Sequence, residues 1–424
     1  MSVFGTPPVV SRDSLLGYFL AGAVPRSEWK IGVEVEKLGR RAADGLPLVY
    51  AGVEPSVRAV LGFLLDERGG DPVYEADNLI GVDAPWGTLS LEPGGQLEWS
   101  SRPRAALSEL AVELRSHLDS MARVAAALGV HWLDVALDPT HPVSAMPWMP
   151  KARYRLMRAH LGRRGRLAHR MMTQTASVQC AFDYSDPEDW RRKLLVSARL
   201  APVAAALFAN SSRIDGAESG WRSYRHAIWR ETDPDRCGLP ACVFEPGFDL
   251  ERWLDWMLSV PTLFLHRARG LVPAGGVPFA RLLERTGCDA VRTADWETHA
   301  STIFTEVRCY TYLEIRGADL QPDELCLAVP AFWAGILYDD GALDQAIDLV
   351  PGLDRQAAWS DAMLTAARDG LDATLNGEPL RTLTVRALGL AARGLRSGAG
   401  WVGPGDEALL ALQRLARKHD LRLD

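Results

Sequence analysis

The sequence predicts an α+β protein: a largely antiparallel sheet backed by helices. Three observations carry that expectation. Strand-like segments recur at irregular intervals, without the regular strand–helix–strand spacing of a parallel sheet. Long stretches with apolar residues at helical spacing separate them. From about residue 340 onward the chain is rich in alanine and leucine and shows no strand pattern. The 424 residues suffice for one large domain or for two or three average ones. No repeat, linker or low-complexity run divides them, so a single unit over 1–424 is expected, with 341–424 as its helical C-terminal part.

Taken in order, residues 28–40 read as a strand, because "IGVEVEKLG" alternates apolar and acidic positions. Residues 55–68 read as a helix, and 88–100 as a strand interrupted by a turn at Pro93-Gly94-Gly95. A long helix follows over 103–128, where Ala, Leu and Val recur every three to four residues. Residue 131 starts a strand that runs into the proline-rich "DPTHPVSAMPWMPK". A basic helix is expected over 151–161 and a strand over 171–183, "MMTQTASVQCAFD". Pro187, with acidic residues just after it, opens a helix over 187–209. Residues 307–316, "VRCYTYLEIR", read as another strand, and the last helix is expected over 405–418.

Composition excludes several classes. With 47 lysines and arginines against 54 aspartates and glutamates, the net charge is −7, which gives nucleic acid no global attraction. The longest apolar stretches, 200–209 and 325–338, fall short of a membrane span of ~18–20 residues. The N-terminus lacks a basic region followed by an apolar run, and the six cysteines show no C-x-x-C spacing. A cytoplasmic protein with reduced, structural thiols is therefore expected. "GAGWVG" at 398–403 matches a dinucleotide-binding pattern, but Pro404 and Gly405 follow it instead of a helix, so it is set aside.

The chemistry resides in three acidic strands. Glu34 and Glu36 share one face of a strand whose other face is Ile31, Val33 and Val35. Gln96 and Glu98 share a face opposite Leu97 and Trp99, and the Pro-Gly-Gly bend can bring Glu92 to the same side. Tyr312, Glu314 and Arg316 alternate with Leu313 and Ile315. Each stretch read singly is also a solvated edge face or a cross-strand ion pair. Read together, several carboxylates on one sheet face call for cations between them, and hard oxygen-seeking ions, Mg²⁺ or Mn²⁺, suit that donor set. Nine histidines without an H-x-x-x-H pair make zinc a poor match. The basic complement lies in "MPKARYRLMRAHLGRRGRLAHR" and "GWRSYRHAIWRETDPDRCG". Most of it reads as solvated helix surface, but Arg153 stands at a helix start and the others lie among aromatics, arrangements suited to a small anion. Carboxylates for metal, arginines for anions and no phosphate loop suggest phosphoryl transfer from a metal-bound nucleotide to an acid.

The segments "IGVEVEKLG", "LSLEPGGQLEWS", "MPKARYRLM", "MMTQTASVQCAFD", "SYRHAIWRETDPDRCGLP" and "DWETHASTIFTEVRCYTYLEIRGAD" follow one another over about 28–340. In that order they resemble the glutamate–cysteine ligases of the plant and proteobacterial type. The resemblance implies a glutamine-synthetase-like catalytic fold with a curved antiparallel sheet. It implies ATP-dependent joining of the L-glutamate γ-carboxylate to the amine of L-cysteine through γ-glutamyl phosphate, by a monomer or homodimer. Carried across, Glu34, Glu36, Glu92, Glu98 and Glu314 would be ligands of Mg²⁺ or Mn²⁺. Arg153, Arg225 and Arg236 would contact substrate carboxylates or other anions, with Gln179 a polar substrate contact. Lys151 and Arg316 would contact phosphate, Arg316 and Glu314 forming the catalytic pair. The resemblance puts Leu263 and His266 near the thiol pocket, and the plant-type members usually carry an aromatic residue where Leu263 stands. Other amine acceptors, a place in ergothioneine synthesis, and a non-catalytic binding homologue remain open at this point.

Overall fold

The computed structural model describes residues 11–268, 270–286, 289–397 and 407–423. Its centre is one eight-stranded sheet. The strands are β1 (Ile31–Lys37), β2 (Asp71–Glu75), β3 (Asn78–Ala84), β4 (Gly87–Leu91), β5 (Leu97–Ser100), β6 (Val178–Phe182), β7 (Val307–Cys309) and β8 (Leu313–Ile315). They lie in the order β7-β8-β6-β1-β5-β4-β3-β2, and every neighbouring pair is antiparallel. The expected α+β class with an antiparallel sheet is thus borne out.

Register gives the sheet two unlike faces. Val35 pairs with Val178 and Trp99, Val33 with Cys180, and Ile31 with Phe182. Leu313 pairs with Phe182, and Leu89 with Trp99. All of these are buried, forming a continuous apolar face. Helices Leu107–Leu128, Pro187–Leu207 and Ala328–Leu337 pack on the strands and cover that face. Side chains alternate along a strand, so the intervening residues, Glu34, Glu36, Glu98, Gln179 and Glu314, share the other face.

Several boundaries differ from expectation for local reasons. The strand expected over 28–40 is two: Leu38 breaks it, and Gly39–Arg41 leaves the sheet to pair with Val130–Trp132. The helix expected from 103 begins at Leu107, because Arg104 still exchanges backbone hydrogen bonds with Ile31 at 2.8 and 2.9 Å. The segment 171–183 is not one strand: helix Ala168–Gln174 precedes β6. Residues 171–175 are buried on all sides, which erases the periodicity that separates helix from strand. Residues 307–316 form a hairpin, β7 and β8, not one strand. The hairpin β2–β3 went unforeseen; β2 is an exposed edge strand without an apolar face. The helix over 187 onward does open on Pro187, capped by the Asp186 carboxylate, which accepts from the N–H groups of Glu188 and Asp189. The tail is helical over Gln356–Asp369, Leu380–Ser397 and Glu407–Lys418. "GAGWVG" lies outside the described residues.

Candidate active site

The polar face of the sheet floors a cavity of about 270 Å³. Glu34, Glu36, Glu92, Glu98, Lys151, Arg153, Gln179, Arg225 and Arg316 all line it, which brings together residues far apart in sequence; Glu314 and Arg236 are not in its lining. β1 is the spine. Glu36 stands directly opposite Glu98 on β5, and Glu34 stands between Ser100 on β5 and Gln179 on β6.

The bend that delivers Glu92 is built from "EPGGQ". The Gly95 N–H donates to the Glu92 carbonyl at 3.0 Å, and the Glu92 N–H to the Gln96 carbonyl at 2.9 Å. Gly95 has φ +88°, open to glycine at no steric cost. Gly94 has no room for a side chain, since a Cβ there would stand 2.2 Å from the Thr173 carbonyl oxygen. Gln96 is 3% exposed and staples the bend. Its Oε1 accepts from the Gly94 N–H at 2.8 Å, and its Nε2 donates to the carbonyls of Met172 at 3.2 Å and Thr175 at 2.9 Å. Gln96 is therefore a positioning residue, and Glu92 and Glu98 are what it positions. The Tyr154 hydroxyl, donating to the Leu91 carbonyl, also reaches Glu92 at 3.2 Å.

The carboxylates fall into two electrostatic groups. At the β1/β5 end they meet each other. Burial first, and then Glu314, push the Glu34 carboxyl up to about 7. Burial and then Glu92 push Glu36 to about 7, and burial and then Glu34 raise Glu98 well above the ordinary carboxylate range. Their protein partners are neutral and few. Ser100 donates to Glu34 at 3.4 Å, Ser90 to Glu98 at 3.1 Å, and Ser177 and Gln179 to Glu36 at 3.1 and 3.2 Å. At the β8 end the environment is cationic. Arg308 Nη2 donates to Glu314 at 3.0 Å with Nε 2.7 Å from the other oxygen, and Arg316 Nη1 donates at 2.9 Å. Burial alone would raise Glu314, but the two arginines outweigh it and hold the carboxyl below its usual value.

Those surroundings test the metal assignment. Oxygen donors with excess negative charge fit Mg²⁺ or Mn²⁺. Among the described residues no group of three or more Asp, Glu, His or Cys side chains is placed to hold a metal ion by itself. Mg²⁺ characteristically uses one or two carboxylates and completes its shell with phosphate oxygens and water. Glu34, Glu36, Glu92 and Glu98 suit that role. Glu314, the fifth carboxylate expected as a ligand, differs from these four in having both oxygens engaged by Arg308 and Arg316.

The basic residues also separate. Arg153 donates to Ser301 Oγ at 3.2 Å and lies over the Phe264 ring, while its buried Nε has no partner among the described residues. Lys151, lowered by burial, donates to the Leu91 carbonyl at 3.2 Å beside Glu92. Arg316 also donates to Gln179 Oε1, which aligns Gln179 toward Glu36. Arg225 is 3% exposed and donates to the carbonyls of Arg316 at 2.9 Å and Gly317 at 3.3 Å, bracing the end of β8 as well as lining the cavity. Arg236 contradicts its expected role as an anion contact. It is 0% exposed and lines neither this cavity nor its neighbour. Its guanidinium is used on Asp233 at 2.7 Å, on Thr302, and on the Pro261 carbonyl at 2.8 Å. Leu263 is buried and His266 donates or accepts at Thr298 Oγ1; neither lines the cavity, although Phe264 between them stands under Arg153. Of the remaining arginines of 149–170, Arg164, Arg166 and Arg170 form ion pairs with Asp235, Glu231 and Asp215, and Arg158 lies over the Trp148 ring.

Arg308, Ser90 and Ser177 were missed by sequence reasoning. Arg308 could have been found by folding "VRCYTYLEI" about Thr311, which sets Arg308 opposite Glu314.

With this geometry established, comparison with known proteins is informative. The model of the family described as glutamate-cysteine ligase family 2 (GCS2) matches residues 30–409. The chain is 36% identical over 352 residues to the chloroplastic glutamate–cysteine ligase of Medicago truncatula, covering 82% of this chain and 68% of that protein. It is 34% identical over 422 residues to the chloroplastic glutamate–cysteine ligase of Arabidopsis thaliana, covering 96% and 78%. Among solved structures, the glutamate–cysteine ligase of Francisella tularensis in complex with AMP aligns with a TM-score of 0.56 at 11% identity. That alignment covers 92% of this chain and 81% of the other, a likeness of fold alone.

Proposed function

The chain belongs to glutamate–cysteine ligase family 2, a family of ATP-dependent ligases, and from that premise we propose that it joins the γ-carboxylate of L-glutamate to the amine of L-cysteine. ATP would be converted to ADP and phosphate through γ-glutamyl phosphate. The observation that carries the reading is the cavity itself: unpaired carboxylates at one end and arginines at the other, on one sheet face. Phosphorylating a carboxylate brings two anions together, and the barrier is lowered by positive charge aimed at the transferring group.

In this reading Arg153, with its unpartnered Nε, grips a carboxylate of glutamate, and Arg225 braces the adjoining wall. Arg316, held by Glu314 and Gln179, offsets charge on the transferring phosphoryl group, and Lys151 supplies a second cation. Glu34, Glu36, Glu92 and Glu98 would hold Mg²⁺ or Mn²⁺, which when bound supplies neutralisation of the nucleotide phosphates. Met171, Met172, Trp229 and Phe304 wall the cavity and exclude water from an intermediate that hydrolysis would destroy.

The test is product formation. With ATP, Mg²⁺, glutamate and cysteine, the protein should release ADP and γ-glutamylcysteine in equal amounts. Omission of glutamate or of Mg²⁺ should abolish both. ADP release that ignores glutamate would refute the reading. A second reading, the same activation serving another amine, is favoured by an adjoining cavity of about 280 Å³, more than a thiol side chain fills. Equal or faster turnover with other amines would select it.

A further inference from the structure

The adjoining cavity shares Arg225, Trp229, Phe304 and Arg316 with the carboxylate cavity as a common partition. Leu239, Trp359, Met363 and Leu364 supply apolar lining, with Gln356 and Ser360 among them. Of the ionisable side chains on its wall that the ligase reading leaves without a task, His226 and Glu306 form a pair. His226 is 6% exposed. Its Nδ1 lies 3.5 Å from Glu306 Oε1, and its Nε2 is buried with no hydrogen-bond partner among the described residues. A buried polar atom without a partner, on a cavity wall, calls for a ligand to supply one.

Glu306 is held rigidly. Its N–H donates to the Gly238 carbonyl at 3.3 Å, and its carbonyl accepts from the Arg316 N–H at 3.0 Å. Its carboxylate lies against Gly317, where a Cβ would stand 2.5 Å from Oε2. The His226–Glu306 pair is therefore tied to the backbone of Arg316. With Nδ1 turned to a carboxylate, the imidazole carries its lone pair on Nε2. A base oriented by a carboxylate beside an activated electrophile is the arrangement that proton abstraction requires.

The ligase reading, on which this inference rests, needs such a base. An amine acceptor is an ammonium at neutral pH and has no lone pair with which to attack. We propose that the second cavity receives the amine acceptor and that His226 Nε2 takes the proton from its ammonium, with Glu306 as the positioning residue. The N–H bond breaks and its proton goes to Nε2. The freed lone pair forms the bond to the γ-acyl carbon, the C–O bond to phosphate breaks, and phosphate leaves with that electron pair and takes up the second N–H proton that the new amide nitrogen must lose. His226 then returns the proton to solvent.

Arg225, Arg230 and Arg316 line the same cavity as His226, and the Glu306 carboxylate stands 3.5 Å from its Nδ1. Cys237, whose thiol burial pushes up to about 12, stays neutral. The apolar wall admits an uncharged side chain, a thiol or a larger apolar group.

Hydroxylamine separates this role from glutamate activation, because it is small and largely unprotonated at neutral pH. The measured quantity is the ratio of cysteine ligation to γ-glutamyl hydroxamate formation, in the unaltered chain, His226→Gln and Glu306→Gln. The expected ratio falls about 100-fold at pH 7 for His226→Gln and about 10-fold for Glu306→Gln. The His226→Gln deficit should shrink as pH rises and solvent supplies the free amine. An unchanged ratio in both variants, a deficit indifferent to pH, or equal loss of both reactions in both variants would overturn the assignment while leaving the ligase reading intact. No hydroxamate from the unaltered chain would overturn the ligase reading and this assignment with it.

Discussion

The two ends of the sheet's polar face treat the same side chain in opposite ways. At the β1/β5 end, Glu34, Glu36 and Glu98 lie among other carboxylates and accept from a few neutral donors; burial and those neighbours push Glu34 and Glu36 up to about 7 and Glu98 well above the ordinary carboxylate range. At the β8 end, Glu314 meets Arg308 and Arg316 and is held down. At the first end burial and like-charge neighbours favour the protonated carboxyl, an environment that a bound cation would reverse. At the second end the carboxylate is already compensated by an arginine pair. Side-chain identity alone does not assign a glutamate its role; the partner across the ladder does.

The contrast is open to attack by mutation. The largest effect is expected at the paired end: Arg308→Ala leaves buried Glu314 with Arg316 as its remaining arginine partner and should cost about 3 kcal/mol of stability. A lowered denaturation midpoint checks this, and adding Glu314→Gln should recover part of it. At the unpaired end the sign reverses. Glu36→Gln or Glu98→Gln should leave metal-free stability equal or higher, since each removes a like-charge neighbour. Glutamate-dependent ADP release should nevertheless fall about 100-fold or more. Equal loss of stability at both ends would erase the distinction drawn here.

Smaller effects concern the supports. Gln96→Ala removes three hydrogen bonds from the "EPGGQ" bend and should cost about 1–3 kcal/mol. Its activity loss should appear mainly as a higher Mg²⁺ concentration for half-maximal activity, because Glu92 and Glu98 lose their placement. The smallest effect is a pH dependence in the apolar layer. His117 is buried, stacked on Trp99 with centroids 4.7 Å apart, and burial lowers its pKa to about 3. The unfolded chain takes up that proton below about pH 6.5 and the folded chain does not. The contribution of His117 is thus complete above pH 6.5 and is lost progressively as pH falls toward 3. His117→Phe should flatten that part of the acid limb in a denaturation series.

Much of this was legible in the sequence because alternation is a short-range signal. "IGVEVEK" declares which face holds Glu34 and Glu36, and β1 bears that out. The turn at Pro93-Gly94-Gly95 likewise announces that Glu92 and Glu98 share a side. What the pattern could not carry was partnership. Nothing local to Arg236 says that Asp233 and the Pro261 carbonyl will use its guanidinium. Nothing local to Glu314 says that Arg308 faces it, short of guessing the hairpin register. Gln96 looked like a site residue because it is polar between two acidic positions, yet its amide is spent on the backbone of a helix some 76 positions away in sequence. Helix Ala168–Gln174 was hidden for a related reason: burial on every side leaves no periodicity to read.

The central claim, that the polar face activates the glutamate γ-carboxylate by phosphorylation, has a direct isotopic test. Glutamate labelled with ¹⁸O in its γ-carboxylate is turned over with ATP, Mg²⁺ and cysteine, and the phosphate released is analysed by mass. The account predicts one ¹⁸O transferred from glutamate to phosphate per turnover. Phosphate free of the label, formed at the same rate as product, would contradict it.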